Sequence, residues 1–299
     1  MSGIASVDVH QHLWPAPLLD ALRARRTPPM LRGWTLHTAA EPPFAVAAGD
    51  HDPVPRAARE VPTSRVLVSV STPLGIEYLP APDAQPLLDA WHCGAAELPQ
   101  PFRAWAAVGA IDPDLDGLDR LCRAGFVGLQ VPAAMLASPA AIEAAAPLLR
   151  RCEQLNWPVF VHPGPVCGAD GAEPAWWPAV VAYSAQLHAA WWAWQTAGRS
   201  LLPDLRLCFA AGAGLAPLHH ERFAARSGHR FVVDRDTFVD TSSHGPQAID
   251  ALTRALGIDV IVLGTDRPYA EPADLHLGEA ATHAISVTNP HRLLEGALP

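Results

Sequence analysis

Eight short apolar runs, rich in β-branched residues and separated by helix-like stretches, constrain this chain more than any other feature. They are Val7–His10, Arg65–Ser71, Ala104–Ala110, Phe126–Val131, Val159–His162, Leu205–Ala210, Phe238–Thr241 and Val260–Gly264. Continuous rather than alternating apolar residues indicate strands covered on both faces, as in a parallel sheet. Ala- and Leu-rich segments such as Ala141–Asn156 and Pro178–Ala197 supply the helices between them. Strand and helix alternating eight times predict an α/β fold of the (β/α)8 TIM-like barrel type over an open sheet. The 299 residues suit one such domain, residues 1–299, with no repeat and no linker.

Two stretches break the rhythm. Residues 13–63 form a long insertion after strand one, rich in proline (Pro15, Pro17, Pro28, Pro29, Pro42, Pro43, Pro53, Pro55 and Pro62). Gly164–Trp177 is a second irregular segment. Both follow strands, so both are expected to rise from the C-terminal mouth of the barrel, where such folds place their chemistry.

Composition removes several function classes. A net charge of −9 argues against a nucleic-acid partner, which needs a basic face. No apolar run reaches the roughly 20 residues that span a bilayer, and no leader pattern precedes Val7. A cytoplasmic protein with a small-molecule substrate and no membrane partner is the expectation. All 21 basic residues are arginine, so a Schiff-base, phosphate-loop or carboxylated lysine is not available. Cys93, Cys122, Cys152, Cys167 and Cys208 contain no Cys-x-x-Cys pair and read as buried free thiols.

The chemistry-bearing residues lie at strand ends. His10-Gln11-His12 closes strand one, and residues i and i+2 of a strand share a face, so both imidazoles can approach one ion. His162 ends strand five, and Asp266 follows strand eight in Gly264-Thr265-Asp266-Arg267-Pro268. Each has a plainer reading alone: a core histidine bonded to backbone, or a helix-capping aspartate. In a barrel, all these positions converge on one mouth.

This ordered set resembles the amidohydrolase-related branch of the amidohydrolase superfamily, the branch of aminocarboxymuconate-semialdehyde decarboxylase and many hydrolases. Gly125–Gln130, Glu221-Arg222 and Asn289-Pro290-His291-Arg292-Leu293-Leu294 extend the similarity along nearly the whole chain. The resemblance implies that His10, His12 and His162 ligate one divalent metal, with zinc expected, and that Asp266 stands beside it and moves protons. It implies a metal-dependent hydrolase of an amide, lactone or similar carbonyl, or else a non-oxidative decarboxylase of a small aromatic or unsaturated acid.

One departure stands out. Where relatives end strand six with a histidine, this chain has Ala211. His244, just past strand seven, is the preferred substitute as an acid–base group; His219 and His220, expected on a helix from Pro217, read as outward groups. A silent relative that only binds a small molecule is the third reading. Arg267, Trp14 and Gln130 are candidate substrate contacts, and Glu221-Arg222 reads as an internal ion pair. Ser242 and Ser243 lack a nucleophile-elbow pattern. Trp191, Trp192 and Trp194 read as packing residues, some available for a homo-oligomer contact.

Overall fold

Strands covered on both faces need apolar side chains in every direction, and the eight runs provide them. The computed structural model describes residues 5–39, 41–61, 64–166 and 173–296. Its barrel strands are β1 (Val7–His12), β2 (Arg65–Ser69), β3 (Phe102–Ala104 continued by Ala106–Ala107), β4 (Leu129–Pro132), β5 (Val159–His162), β6 (Leu207–Phe209), β7 (Thr237–Asp240) and β8 (Ile261–Val262). Each pairs in parallel with the next in chain order.

Two joints complete the ring. Trp105 links the halves of β3, donating its backbone N–H to Val68 O at 2.9 Å while Ala106 N donates to Gly128 O at 2.8 Å. From the other end, Val9 N donates to Leu263 O at 2.8 Å and His12 N to Arg267 O at 2.7 Å. The (β/α)8 barrel expected from the strand–helix rhythm is the fold.

Most strands are shorter than the apolar runs. Val70, Ser71 and the Val108–Ala110 segment leave the sheet, because there the chain turns into the mouth loops. β1 is instead longer, running to His12, with a register irregularity against β2 between Asp8 and Gln11. Helices follow the strands as expected; Pro139–Gln154 after β4 is capped by Ser138, whose hydroxyl accepts Ala141 N–H, a bond typical of about 1 kcal/mol. Inside the ring Trp105 stacks on Phe160 at 5.3 Å, both sealed from solvent.

The insertion is ordered rather than a bare loop. It contains the helix Ala16–Ala24, a small antiparallel sheet (Met30–Arg32, Thr35–His37, Phe44–Ala45), the turn Ala48–His51 and the helix Pro53–Ala57. These pieces are two to nine residues long, too brief to show a period among the prolines. Pro62, Thr63 and Cys167 lie outside the described residues, as does the middle of the second irregular segment.

Three smaller expectations are corrected. Cys93 is exposed, and of the described cysteines only Cys152 and Cys208 are fully buried. Glu221 and Arg222 lie exposed at the start of the helix His220–Ser227, not paired inside, since adjacent helix residues diverge around the axis. The helix expected from Pro217 starts only at His220, so it carries His220 but not His219; before it, residues 211–215 all have positive φ, from 46° at Ala211 to 60° at Leu215. Of the tryptophans, Trp191 and Trp194 are buried, and Trp192 stacks on Phe223. No helix among the described residues is long and apolar enough to cross a membrane.

Candidate metal centre

At the C-terminal end of β1 and β5, His10, His12 and His162 are 2%, 1% and 5% exposed. One ring nitrogen from each lies within 4.8 Å of the other two. His10 Nε2 and His12 Nε2 stand 3.1 Å apart. Asp266 Oδ1 lies 3.4 Å from the first and 3.2 Å from the second.

The opposite edge of each ring is tied to an acceptor, which assigns the proton. His10 Nδ1 faces Asp240 Oδ2 at 2.7 Å, with Ser242 Oγ at 3.1 Å. His12 Nδ1 faces Ser69 O at 3.3 Å and Ser71 Oγ at 3.1 Å. His162 Nδ1 faces Pro163 O at 2.8 Å. With Nδ1 carrying the proton, each Nε2 presents a bare lone pair to the centre.

Bare nitrogens 3.1 Å apart with a carboxylate oxygen above them repel unless something positive stands between. Two nitrogens each 2.0–2.1 Å from one ion are about 2.9–3.4 Å apart at the angles of ordinary coordination. The donor set therefore fits one divalent ion, with His10, His12 and His162 as ligands and Asp266 at its side. Carboxylate–histidine pairs such as Asp240–His10 orient such rings and raise their basicity.

The electrostatics agree. Burial pushes His162 well below its ordinary pKa, with His12 and His10 adding to the shift, and burial also lowers His12. For His10 burial is outweighed by Asp240 and Asp266, so its site favours positive charge. Burial would raise Asp266, but the three imidazoles prevail and hold it below the usual carboxylate range. Asp266 itself sits in the left-handed region (φ 61°), its backbone N–H held by His10 O at 2.8 Å and its Oδ2 by the Ser243 hydroxyl at 3.0 Å.

Asp240 was not singled out from sequence, although a carboxylate ending the apolar run Phe238-Val239 carries the same signal as His162. It is fully buried, and its Oδ1 accepts from Ala211 N (2.8 Å), Ser242 N (2.9 Å) and Ser242 Oγ (2.6 Å). Gly264 gives it room, since a Cβ there would meet the carboxylate at 2.9 Å.

The other expected residues fall around this centre. Trp14 does not face the mouth: it is sealed from solvent, donating Nε1–H to Ser71 Oγ at 3.0 Å. Gln130 is buried too, its amide N–H groups near Val70 O (2.7 Å), Thr72 Oγ1 (2.8 Å) and Glu77 Oε1 (3.2 Å). Arg267 is a third exposed and lies 3.5 Å from Glu60 Oε1. His244 Nε2 lies 3.0 Å from the Ala211 carbonyl oxygen. His219 is exposed, and His220 is stacked on Phe231.

Three groups that carried no sequence signal also border the centre. Arg56, from the insertion, is 1% exposed and donates to His12 O (3.1 Å), Asp50 O (2.7 Å) and Gln11 Oε1 (2.6 Å). His51 packs flat on Trp14. The Tyr269 ring stands 5.2 Å from that of His12.

A family described as Amidohydrolase matches residues 7–295. The chain belongs to the amidohydrolase family. Within it, the 2-amino-3-carboxymuconate-6-semialdehyde decarboxylase of Dictyostelium discoideum is 31% identical over 136 residues, 41% of this amidohydrolase and 38% of that protein. The matched stretch thus spans less than half of that relative. A 5-carboxyvanillate decarboxylase from Novosphingobium aromaticivorans, solved with manganese and 3-methoxy-4-hydroxy-5-nitrobenzoic acid, has a similar fold. It is 16% identical with a TM-score of 0.75, over 98% of this chain and 97% of that one. A 2,6-dihydroxybenzoate decarboxylase in complex with 2,6-dihydroxybenzoate is 18% identical with a TM-score of 0.69, over 98% and 100%. At such identities the likeness concerns the fold. These three relatives are named as decarboxylases, not hydrolases.

Proposed function

We propose that this chain is a metal-dependent, non-oxidative decarboxylase of a small aromatic or unsaturated carboxylic acid, working as one barrel domain. The observation that carries this reading is the donor set at the mouth, three imidazole nitrogens and Asp266 facing one point, in a chain whose named relatives are decarboxylases. Just past β6 the chain carries Ala211, which cannot hold a proton. One carboxylate can carry the proton in either reaction, as base and then as acid. The relatives therefore favour the decarboxylase reading over the hydrolase one that the sequence led with.

A bound divalent ion, zinc being the first candidate for an imidazole-rich set, would supply Lewis acidity toward the substrate's oxygens. His10, His12 and His162 would hold it, and Asp240, Ser69, Ser71 and Pro163 O fix their rings. Arg56 and Arg267 add positive charge beside the site, which suits a carboxylate. Asp266 starts ionised, collects a proton from solvent or from an acidic substrate hydroxyl, and gives it to the ring carbon. The bond from that carbon to the carboxylate breaks, carbon dioxide leaves, and a C–H bond takes its place. Ser243 orients Asp266 by donating to Oδ2. His244 acts by supporting the Ala211 turn through its carbonyl.

The test is product analysis. Metal-loaded protein and a panel of hydroxybenzoates in deuterium oxide are expected to yield carbon dioxide and one deuterium at the carbon that lost it. Water incorporation into an amide or lactone panel, with no carbon dioxide from any acid, would return the assignment to hydrolysis.

A further inference from the structure

The insertion meets β1 on the face turned away from the imidazole cluster. From Asp8 to Gln11 the strand takes three steps while its neighbour takes two, from Val66 to Val68. The extra residue puts Asp8 and Gln11 on one face of β1, opposite to His12. Both side chains are buried there and joined, Gln11 Nε2 donating to Asp8 Oδ2 at 2.8 Å. Asp8 also accepts the backbone N–H of His10 (3.1 Å), the backbone N–H of Thr265 (3.1 Å) and the Thr265 hydroxyl (2.7 Å). All four partners are donors, so the carboxylate's accepting capacity is used. It ties β1 to the segment after β8, one residue before Asp266.

From the insertion, Arg56 extends this network. It is sealed from solvent and donates to Gln11 Oε1 (2.6 Å), His12 O (3.1 Å) and Asp50 O (2.7 Å). Gln11 Nε2 lies 3.2 Å from Glu60 Oε1, and that oxygen lies 3.5 Å from Arg267. Two carboxylates and two guanidiniums balance, as buried charge requires. The backbones of His10 and His12, and the residue before Asp266, are thus all held from behind. A working site tolerates displacements of only about 0.5 Å, so what fixes these backbones fixes the spacing of the donors.

We propose that Arg56, acting through Gln11 and Asp8, is a positioning residue of the metal centre. The proline-rich insertion thereby sets the spacing of His10, His12 and Asp266, and with it the affinity and geometry of the bound ion. This rests on the metal reading of the cluster and not on the choice between decarboxylation and hydrolysis.

Cobalt(II), whose visible absorption follows its coordination geometry, is the probe, titrated into the metal-free full chain. Gln11→Met keeps the length of the side chain and removes its links to Arg56, Asp8 and Glu60. Arg56→Lys keeps the charge but lacks the planar fork that reaches several acceptors. Gln11→Met is expected to weaken cobalt(II) binding about 10- to 100-fold and to shift the visible band. Arg56→Lys should act in the same direction by a smaller factor. The double variant should lose clearly less than the product of the two, as for residues of one network. Losses that simply multiply would separate Arg56 from Gln11 and overturn the proposal. Wild-type affinity and an unshifted band in Gln11→Met, with only its melting temperature lowered, overturn it in favour of plain packing. If Gln11→Met does not fold, Arg56→Lys decides alone, and wild-type binding there overturns the proposal. No cobalt(II) bound by wild type removes the metal reading itself, and the proposal with it.

Discussion

The arc of the barrel mouth from β5 round to β1 differs from the arc from β2 to β4 in how its buried polar groups are satisfied. In the first, each imidazole of His10, His12 and His162 has an acceptor behind it, and Asp240 collects four hydrogen bonds. Only the Nε2 edges are left, and they face one another. In the second, Glu77 and Gln130 are buried side by side, yet Glu77 Oε2 and Gln130 Oε1 have no partner. The first arc is organised around a positive charge at its centre. The second disfavours a charged carboxyl: burial raises the Glu77 pKa to about 7 despite donors from Gln130 and Thr72. Burial alone therefore does not decide the charge of an acid here. The number and sign of its neighbours do.

Breaking the first arc at its carboxylate should have the largest effect. Asp266→Asn preserves shape and removes the proton carrier, so kcat is expected to fall by about 10²–10⁴, the usual contribution of an acid–base group. Steady-state kinetics at matched metal content checks this, and unchanged kcat would remove Asp266 from the reaction. One step further out, Asp240→Asn leaves His10 with a weaker partner. Metal affinity should drop roughly 10- to 100-fold, as for other partners behind a ligand, read by competition with a chelator.

The second arc predicts a pH effect of definite sign. A carboxyl near 4.5 when unfolded and about 7 when folded holds its proton more tightly in the fold. Its contribution is full below pH 4.5 and is lost as pH rises through 7, a change on the order of 3 kcal/mol. Glu77→Gln should flatten this part of the stability–pH profile between pH 5 and pH 8 in denaturant titrations. An identical profile would mean that Glu77 is ionised in the fold.

The smallest effect is expected where the first arc has its gap, at strand six. His244 bonds to the Ala211 carbonyl, and no contact joins it to the imidazole cluster among the described residues. His244→Ala should change kcat less than about tenfold, below the range of an acid–base group. A loss of 10²–10⁴ would instead give His244 the proton-transfer role that the departure at Ala211 suggested.

Much of this was legible in sequence, for physical reasons that differ by residue. A (β/α)8 barrel writes itself as repeated apolar runs, because each strand is covered on both sides. His10, His12, His162 and Asp266 were candidates because strand ends of a barrel converge on one mouth, and the family resemblance singled them out from plainer readings. Asp240 bore the same mark, but a lone aspartate after Phe238-Val239 resembles any helix cap until its partner, 230 residues away, is known. His51 and Arg56 carried no pattern, lying in a proline-broken stretch whose elements are too short to show periodicity.

The sequence by itself determined the barrel and the sign of the charge, and with the family resemblance it named His10, His12, His162 and Asp266 as candidate donors. Local pattern is enough for the barrel, since each strand's burial is recorded in its own residues. Only the tertiary structure decided which nitrogen of each ring is bare, that Trp14 is a buried brace, that His244 meets a carbonyl, and that Arg56 reaches Gln11 and the His12 carbonyl. Those facts depend on which groups from distant segments come within about 3 Å, the reach of a hydrogen bond, and no local stretch of sequence contains that distance.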